Sequence, residues 1–393
     1  MQRTSSVPLT VVMMSHDSVG LGHARRNRTL AYALARRLPA LTGRPVQGLL
    51  IASHPGASQD QLPDGWDWLV LPGLTHSAEG LVSRSLSLPS HALVQVRSEI
   101  IRAAVQELKP DLFIVDRHPY GIQGELRATI AHLRQAGVPR VLGLRDVLDA
   151  PAVVQREWNR LGGAASVAAD FSAVWIYGDA SAYDARATGE VPEPLAEIAE
   201  MTGYLGNGRP EHDIPASSLD PATPYVQPFA LTVVGGGSDG FELASRSVRA
   251  ELPDGFEHLV IAGPQMPADH VDALMRMARP EVTVHRSSRD IPSLIALADA
   301  VICMGGYNTT AEVLATTTPA LVVPRSSRRD EQPLRAAALA ERGVVDTAAI
   351  DDLQPEHITR WIHLMAGRTI DRTTINLNGL ARVPELAAGL LGA

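Results

Sequence analysis

A chain of 393 residues with a single cysteine, Cys303, has no second thiol to pair with, which excludes disulfides within the chain and cysteine-based metal sites. Set in the apolar run Val301 to Met304, Cys303 reads as a small buried hydrophobe. Lysine is equally scarce: Lys109 is the only one, and a cation pool so uniformly made of arginine singles out no arginine by its type. No run approaches the roughly 18 apolar residues that span a bilayer, and Val11 to Met14 is too short for a signal-peptide core. No transmembrane segment is expected, and a cytoplasmic location follows. The 35 basic residues are outnumbered by 43 acidic ones, a net charge of −8 that argues against broad nucleic-acid binding. Small-molecule chemistry fits better.

What is present is an alternation of short β-branched runs with longer helical patterns, the signature of parallel sheets covered by helices, so the class is α/β. In the first half Leu9–Met14, Val46–Ile51, Leu112–Val115, Val138–Leu142 and Ala173–Tyr177 read as strands. Leu30, Leu34 and Leu38 share one face of a helix over about Ala24–Leu38, and a second helix covers His91–Leu108. Between Gly203 and Pro228 the prolines Pro210, Pro215, Pro221, Pro224 and Pro228 break any helix. The strand pattern then restarts at Ala230–Val234, His258–Ile261, Val282–His285, Ala300–Met304 and Ala320–Val323. The expected organisation is an N-terminal domain over 1–205, a linker over 206–228, a C-terminal domain over 229–370, and a C-terminal helix within 371–393 packing back on the N-domain.

Three strands run straight into a glycine turn and a helix: Met13 towards Gly20, Gly22 and His23; Val234 into Gly235, Gly236, Gly237, Ser238, Asp239 and Gly240; Met304 into Gly305 and Gly306. Such turns bring backbone close to a ligand and aim N–H groups and a helix dipole at an anion, although a tight turn needs glycine for steric reasons alone. The first turn carries Arg25 where a dinucleotide fingerprint has its third glycine, and the next strand ends at Ser53 and His54 without a ribose-binding acid, which argues against NAD. No glycine turn is followed by Lys and Ser or Thr, so the Walker pattern fails too.

His23 is either a solvated helix-start residue or a base at a ligand-facing turn, with an imidazole suited to proton transfer near neutrality. Arg25, Arg26 and Arg28 crowd the same helix start, where positive charge opposes the dipole and an anion nearby would offset the cost. Gly22 and Arg25 are thus candidate anion or acceptor contacts. Asp116, closing the strand after Leu112–Val115, either orients His23 or pairs with Arg117. Thr309 and Glu312 have capping-box spacing, yet Glu312 beside Gly305 and Gly306 could equally accept from ribose hydroxyls. Asp330, Glu331 and Gln332 suit sugar hydroxyls or cap the next helix. No metal site is expected, and no Asp-x-Asp motif is evident.

These residues resemble the N-acetylglucosaminyltransferase family that makes lipid II in peptidoglycan assembly, together with its GT-B relatives. Gly236, Gly237, Ser238, Asp239 and Gly240 are similar to that family's diphosphate loop, with Asp239 in place of its usual glutamine. The run from Gly306 through Asn308, Thr309 and Glu312 to Pro319 is similar to its nucleotide-binding helix, with Glu312 at the ribose position. Ser287 to Ile291, including Ser288 and Arg289, stands where the family's backbone reads the base, and Asp330, Glu331 and Gln332 resemble its donor-sugar loop. Gly20, Leu21, Gly22 and His23 resemble the turn ending in its catalytic histidine.

The resemblance implies a GT-B fold, two Rossmann-like domains with parallel sheets facing across a cleft. It also implies an inverting, metal-independent transfer of a sugar from a UDP or TDP sugar to a hydroxyl or amine of a small molecule or glycolipid, with His23 as base and no cofactor. The first turn also resembles the UDP-sugar hydrolase of pseudaminic acid synthesis, which leaves hydrolysis as the alternative. Epimerisation is less favoured, because the extra acid and base residues of the epimerases are not found.

Overall fold

The computed structural model describes residues 7–16, 22–77, 80–209, 228–288, 291–325 and 329–393. Seven parallel strands form the first sheet: β1 (Leu9–Met14), β2 (Val46–Ala52), β3 (Trp66–Val70), β6 (Leu112–Asp116), β7 (Arg140–Arg145), β8 (Ala173–Tyr177) and β9 (Ala199–Met201). They lie in the order β3-β2-β1-β6-β7-β8-β9, with a separate antiparallel hairpin of β4 (Leu74–Ser77) and β5 (Gly80–Ser83) beside them. The second sheet holds β10 (Phe229–Val233), β11 (Glu257–Ile261), β12 (Val282–His285), β13 (Ala300–Cys303), β14 (Ala320–Val322) and β15 (Asp346–Thr347) in the order β12-β11-β10-β13-β14-β15. Both sheets therefore follow the doubly wound order, with the strand direction of growth reversing beside β1 in one and β10 in the other.

The central strands are buried on both faces by helices, which is why they read as unbroken apolar runs rather than alternating ones. β7 starts two residues later than its apolar run, because Pro139 cannot donate to a ladder and Gly137 turns the chain at a φ of +70°. Cys303 is fully buried, and burial pushes its thiol up to about 11. The helix Gly379–Leu390 packs along the helix Gly22–Thr42, so the chain's end lies against the first sheet's cover. No helix among the described residues is long and apolar enough to cross a membrane.

In this doubly wound arrangement ligands gather at the carboxyl ends of the strands, where the order reverses. Those positions are the ends of β1 and β6 in the first sheet and of β10 and β13 in the second.

Candidate active site

At the first switch point an imidazole, a guanidinium and a carboxylate converge. His23 and Arg26 stand one helical turn apart on the helix Gly22–Thr42, so both face Asp116 at the end of β6. His23 Nδ1 lies 3.1 Å from Asp116 Oδ2. Arg26 Nη2 donates to both Asp116 oxygens, at 2.6 and 2.7 Å, and also lies 2.9 Å from His23 Nδ1. A carboxylate oxygen only accepts and a guanidinium only donates, so Nδ1 carries the proton when it bonds Asp116, with the lone pair on Nε2, and the lone pair when it bonds Arg26. Burial alone would raise the Asp116 pKa, but the Arg26 guanidinium, and after it His23, outweigh that and hold it at about 2. Asp116 does not pair with Arg117, whose Nη2 donates instead to Glu157 at 2.5 Å. Arg117 takes a φ of +69°, a left-handed conformation that is costly for a side chain with a Cβ and places strain next to the carboxylate.

At the second switch point the material is backbone. A cavity of about 290 Å³ opens between the ends of β10 and β13, walled by Gly235, Gly236, Ser238, Asp239, Gly306 and Thr309, with Gln265, Arg325 and Gln332 among the others. Gly237 turns at a φ of +91°, and a Cβ there would sit 2.3 Å from the Ala262 carbonyl oxygen, so that glycine is required by the turn itself. Gly306 differs. Its φ is −62° and a Cβ would meet nothing within 4 Å, so the turn's geometry does not demand glycine, and the space before it is open cavity.

Gly22 belongs to both places: it lines the cavity, its carbonyl accepts from Asn308 Nδ2 at 2.9 Å, and His23 follows it in the chain. The imidazole is thus carried by the residue next to one that walls the cavity.

Of the residues singled out from the sequence, Gly22, Gly236, Ser238, Asp239, Gly306, Thr309 and Gln332 line the cavity. Gly237 and Gly305 build its turns from behind. Asn308 joins the two halves through Gly22 and Arg209. Asp330 is held by its backbone N–H on Asp149 Oδ1 at 2.9 Å, and Glu331 is buried against Arg325 and Arg145, so neither reaches the cavity wall. Ser288 lies in the loop after β12, and Arg289, Gly20 and Leu21 fall outside the described residues.

Glu312 corrects the capping-box reading. The helix Tyr307–Leu314 has Gly306 as its N-cap, so Thr309 and Glu312 sit inside it, past the cap. The Glu312 carboxylate is fully buried, with Oε1 bonded to Arg209 and 2.9 Å from Arg25, while Oε2 has no partner among the described residues. It is therefore an ion-pair centre between the two halves, set behind the cavity wall.

Arg209 escaped the sequence reading, and Arg26, read only as one of the cations crowding the helix start, was not linked to Asp116. Arg26 had a usable signal, since a cation three residues after a helical histidine shares its face. Tyr307, stacked 5.3 Å from the Arg26 guanidinium, is visible only once the two halves are together.

Residues 230–368 match the Glycosyltransferase family 28 C-terminal domain. A UDP-N-acetylglucosamine–N-acetylmuramyl-(pentapeptide) pyrophosphoryl-undecaprenol N-acetylglucosamine transferase of Sinorhizobium fredii is 32% identical over 186 residues, covering 46% of this chain and 50% of that one. The protein of the same description in Corynebacterium efficiens is 29% identical over 162 residues, 40% of this chain and 43% of its own. The chain spans about half the length of the curated relatives it matches. Among solved structures, the calicheamicin glycosyltransferase superposes with a TM-score of 0.61 at 16% identity, over 98% of this chain and 99% of that one. MurG of Acinetobacter baumannii gives 0.55 at 17% identity, again over 98% and 99%. Residues 230–368 are a glycosyltransferase family 28 C-terminal domain, carried in a chain with the GT-B fold.

Proposed function

We propose that this chain is an inverting, metal-independent glycosyltransferase that moves a sugar from a UDP or TDP sugar to a hydroxyl or amine of a small molecule or glycolipid. The observation that carries the reading is the adjacency at Gly22: a glycine-walled cavity of about 290 Å³ on one side, an imidazole held against Asp116 on the other. The family 28 domain at 230–368 supports a nucleotide-sugar donor in that cavity.

The donor's diphosphate lies along the Gly235–Gly236 turn and the start of the helix Tyr307–Leu314, where N–H groups and the helix dipole favour negative charge. The ribose falls to Glu312: Arg25, 29% exposed, makes way on Oε1, and Oε2 has no partner among the described residues. The acceptor enters from the first sheet's side. As its oxygen or nitrogen forms a bond to the anomeric carbon, its proton passes to His23 Nε2. The bond from that carbon to the β-phosphate oxygen breaks, and its electron pair stays with the nucleoside diphosphate. Asp116 stabilises the imidazolium formed, and Arg26 keeps Asp116 ionised while it does so. Attack opposite the leaving group inverts the anomeric centre.

The test is release of free nucleotide from a panel of UDP and TDP sugars, each with and without candidate acceptors. A transferase releases nucleotide slowly alone and rapidly with the right acceptor. Rapid release without any acceptor would make the chain a hydrolase, and no release from any donor under any condition would end the reading.

A further inference from the structure

Arg325 follows Pro324 at the end of β14 and lines the same cavity as Gly235, Gly236, Ser238 and Gly306. Among the described residues of that wall it is the one cation, and Asp239 is the one anion. Arg325 Nη1 donates to Asp239 Oδ2 at 3.3 Å, and Nη2 donates to Glu331 Oε1. Its backbone N–H is held by Gln332 Oε1 at 3.2 Å, so the whole residue is clamped. Nε is buried with no partner among the described residues, one guanidinium donor left unspent in a side chain only 19% exposed.

This arrangement resolves a conflict inside the cavity. Asp239 belongs to the glycine turn, so its carboxylate stands where a diphosphate would bring negative charge, and like charges there disfavour binding. A neutral residue at that position would carry no such cost. Arg325 cancels it, and an arginine rather than a lysine suits the place, because the planar fork can hold two carboxylates and still present a further N–H.

We infer that Arg325 is the cation of the diphosphate site, anchored by Asp239 and Glu331 and presented to the β-phosphate. The inference rests on the nucleotide-sugar reading of the cavity. Arg325 stays protonated throughout: when the bond between the anomeric carbon and the β-phosphate oxygen breaks, the electron pair remains on that oxygen, and the guanidinium meets the added charge through hydrogen bonds without giving up a proton. Asp239 acts through Arg325 and makes no contact with phosphate.

Titrations of the full chain with UDP and UMP, or TDP and TMP if those bind more tightly, test this directly. The diphosphate preference, Kd for the monophosphate over Kd for the diphosphate, should fall by about 10- to 100-fold in Arg325→Gln, the range for a lost charge-assisted hydrogen bond. Monophosphate affinity should stay within about twofold of wild type, since the nucleoside end is untouched. Arg325→Gln with Asp239→Asn removes the carboxylate left facing the phosphate, and should bind diphosphate several-fold more tightly than Arg325→Gln alone while remaining below wild type. If Arg325→Gln melts too low to titrate, the double variant, with that pair neutral, is measured in its place and should likewise have lost most of the preference. An unchanged preference in either variant, or an equal loss for monophosphate and diphosphate, would overturn the inference. Wild-type protein that binds neither nucleotide would instead strike at the nucleotide reading itself.

Discussion

Behind β1 and β6 the chain gathers ionisable side chains, His23, Arg26 and Asp116, each buried or half-buried and each within hydrogen-bond distance of the next. Behind β10 and β13 it gathers bare backbone, the turns Gly235–Gly237 and Gly305–Gly306. The two sheets share one strand order, so the same crevice is finished in different materials. The first suits the movement of a proton, which needs a titratable group held in place. The second suits an anion, which needs donors that neither titrate nor reorganise.

The sharpest way to break this contrast is His23→Ala. If the first switch point handles only the proton, turnover should drop about 10²- to 10⁴-fold while nucleotide affinity holds, because the base acts only in the reaction. Steady-state rates beside calorimetric titration read both quantities, and near-normal turnover would remove His23 as base. Asp116→Asn should cost about 3–5 kcal/mol of folding stability, since it leaves the buried Arg26 guanidinium without its counter-charge. Chemical denaturation measures that; a change under about 1 kcal/mol would mean the pair rehydrates freely.

On the second side, Glu312→Ala should weaken donor binding by about 1.5–3 kcal/mol if its carboxylate takes the ribose. Unchanged nucleotide affinity with a lower melting temperature would leave it as an ion-pair centre alone. Glycine variants separate turn from ligand: Gly237→Ala should destabilise the fold by about 1–3 kcal/mol through its positive φ and the Ala262 carbonyl 2.3 Å away. Gly306→Ala should melt like wild type yet bind nucleoside diphosphate more weakly, its methyl group intruding on open cavity. Equal melting of the two would dissolve the distinction.

The smallest effect is a pH dependence from the second sheet's interior. His258 on β11 is fully buried with Nε2 2.8 Å from Thr232 Oγ1, and burial lowers its pKa from 6.5 to about 4. The unfolded chain therefore binds this proton first, so the stability of the neutral form is intact above the unfolded value and drains as pH falls from about 6.5 towards 4. Linkage puts the loss at about 2 kcal/mol between pH 7 and 5. His258→Gln should flatten that slope in melts across the range; an unchanged slope would assign it elsewhere.

Central strands were legible in the sequence because burial on both faces leaves continuous β-branched runs such as Leu9–Met14. The edges were not. β9 and β15 span three and two residues and exist only because a neighbour offers a ladder. β3 reads Trp-Asp-Trp-Leu-Val, an edge strand whose alternation is too short to stand out. In the site, the glycine turns and His23 announced themselves through local spacing, whereas Glu312 meets Arg209, 103 residues away, through tertiary assembly alone. The Thr309–Glu312 spacing misled for the same reason: Gly305, at a φ of +74°, decides where the helix begins.

The seam between the two sheets has a property that its composition dictates. Arg335 is locked on Asp146 at 2.5 and 2.7 Å with both side chains buried, Glu312 answers Arg209 and Arg25, and Arg145 approaches Glu331. Charges buried against each other gain little over the same charges in water, because the attraction is largely offset by lost hydration. A seam of this kind can be rewetted: if the halves part to admit substrate or release product, water takes over the partners one by one. Leucines over the same area would have resisted that exchange, and the crevice would have been as hard to reopen as a core.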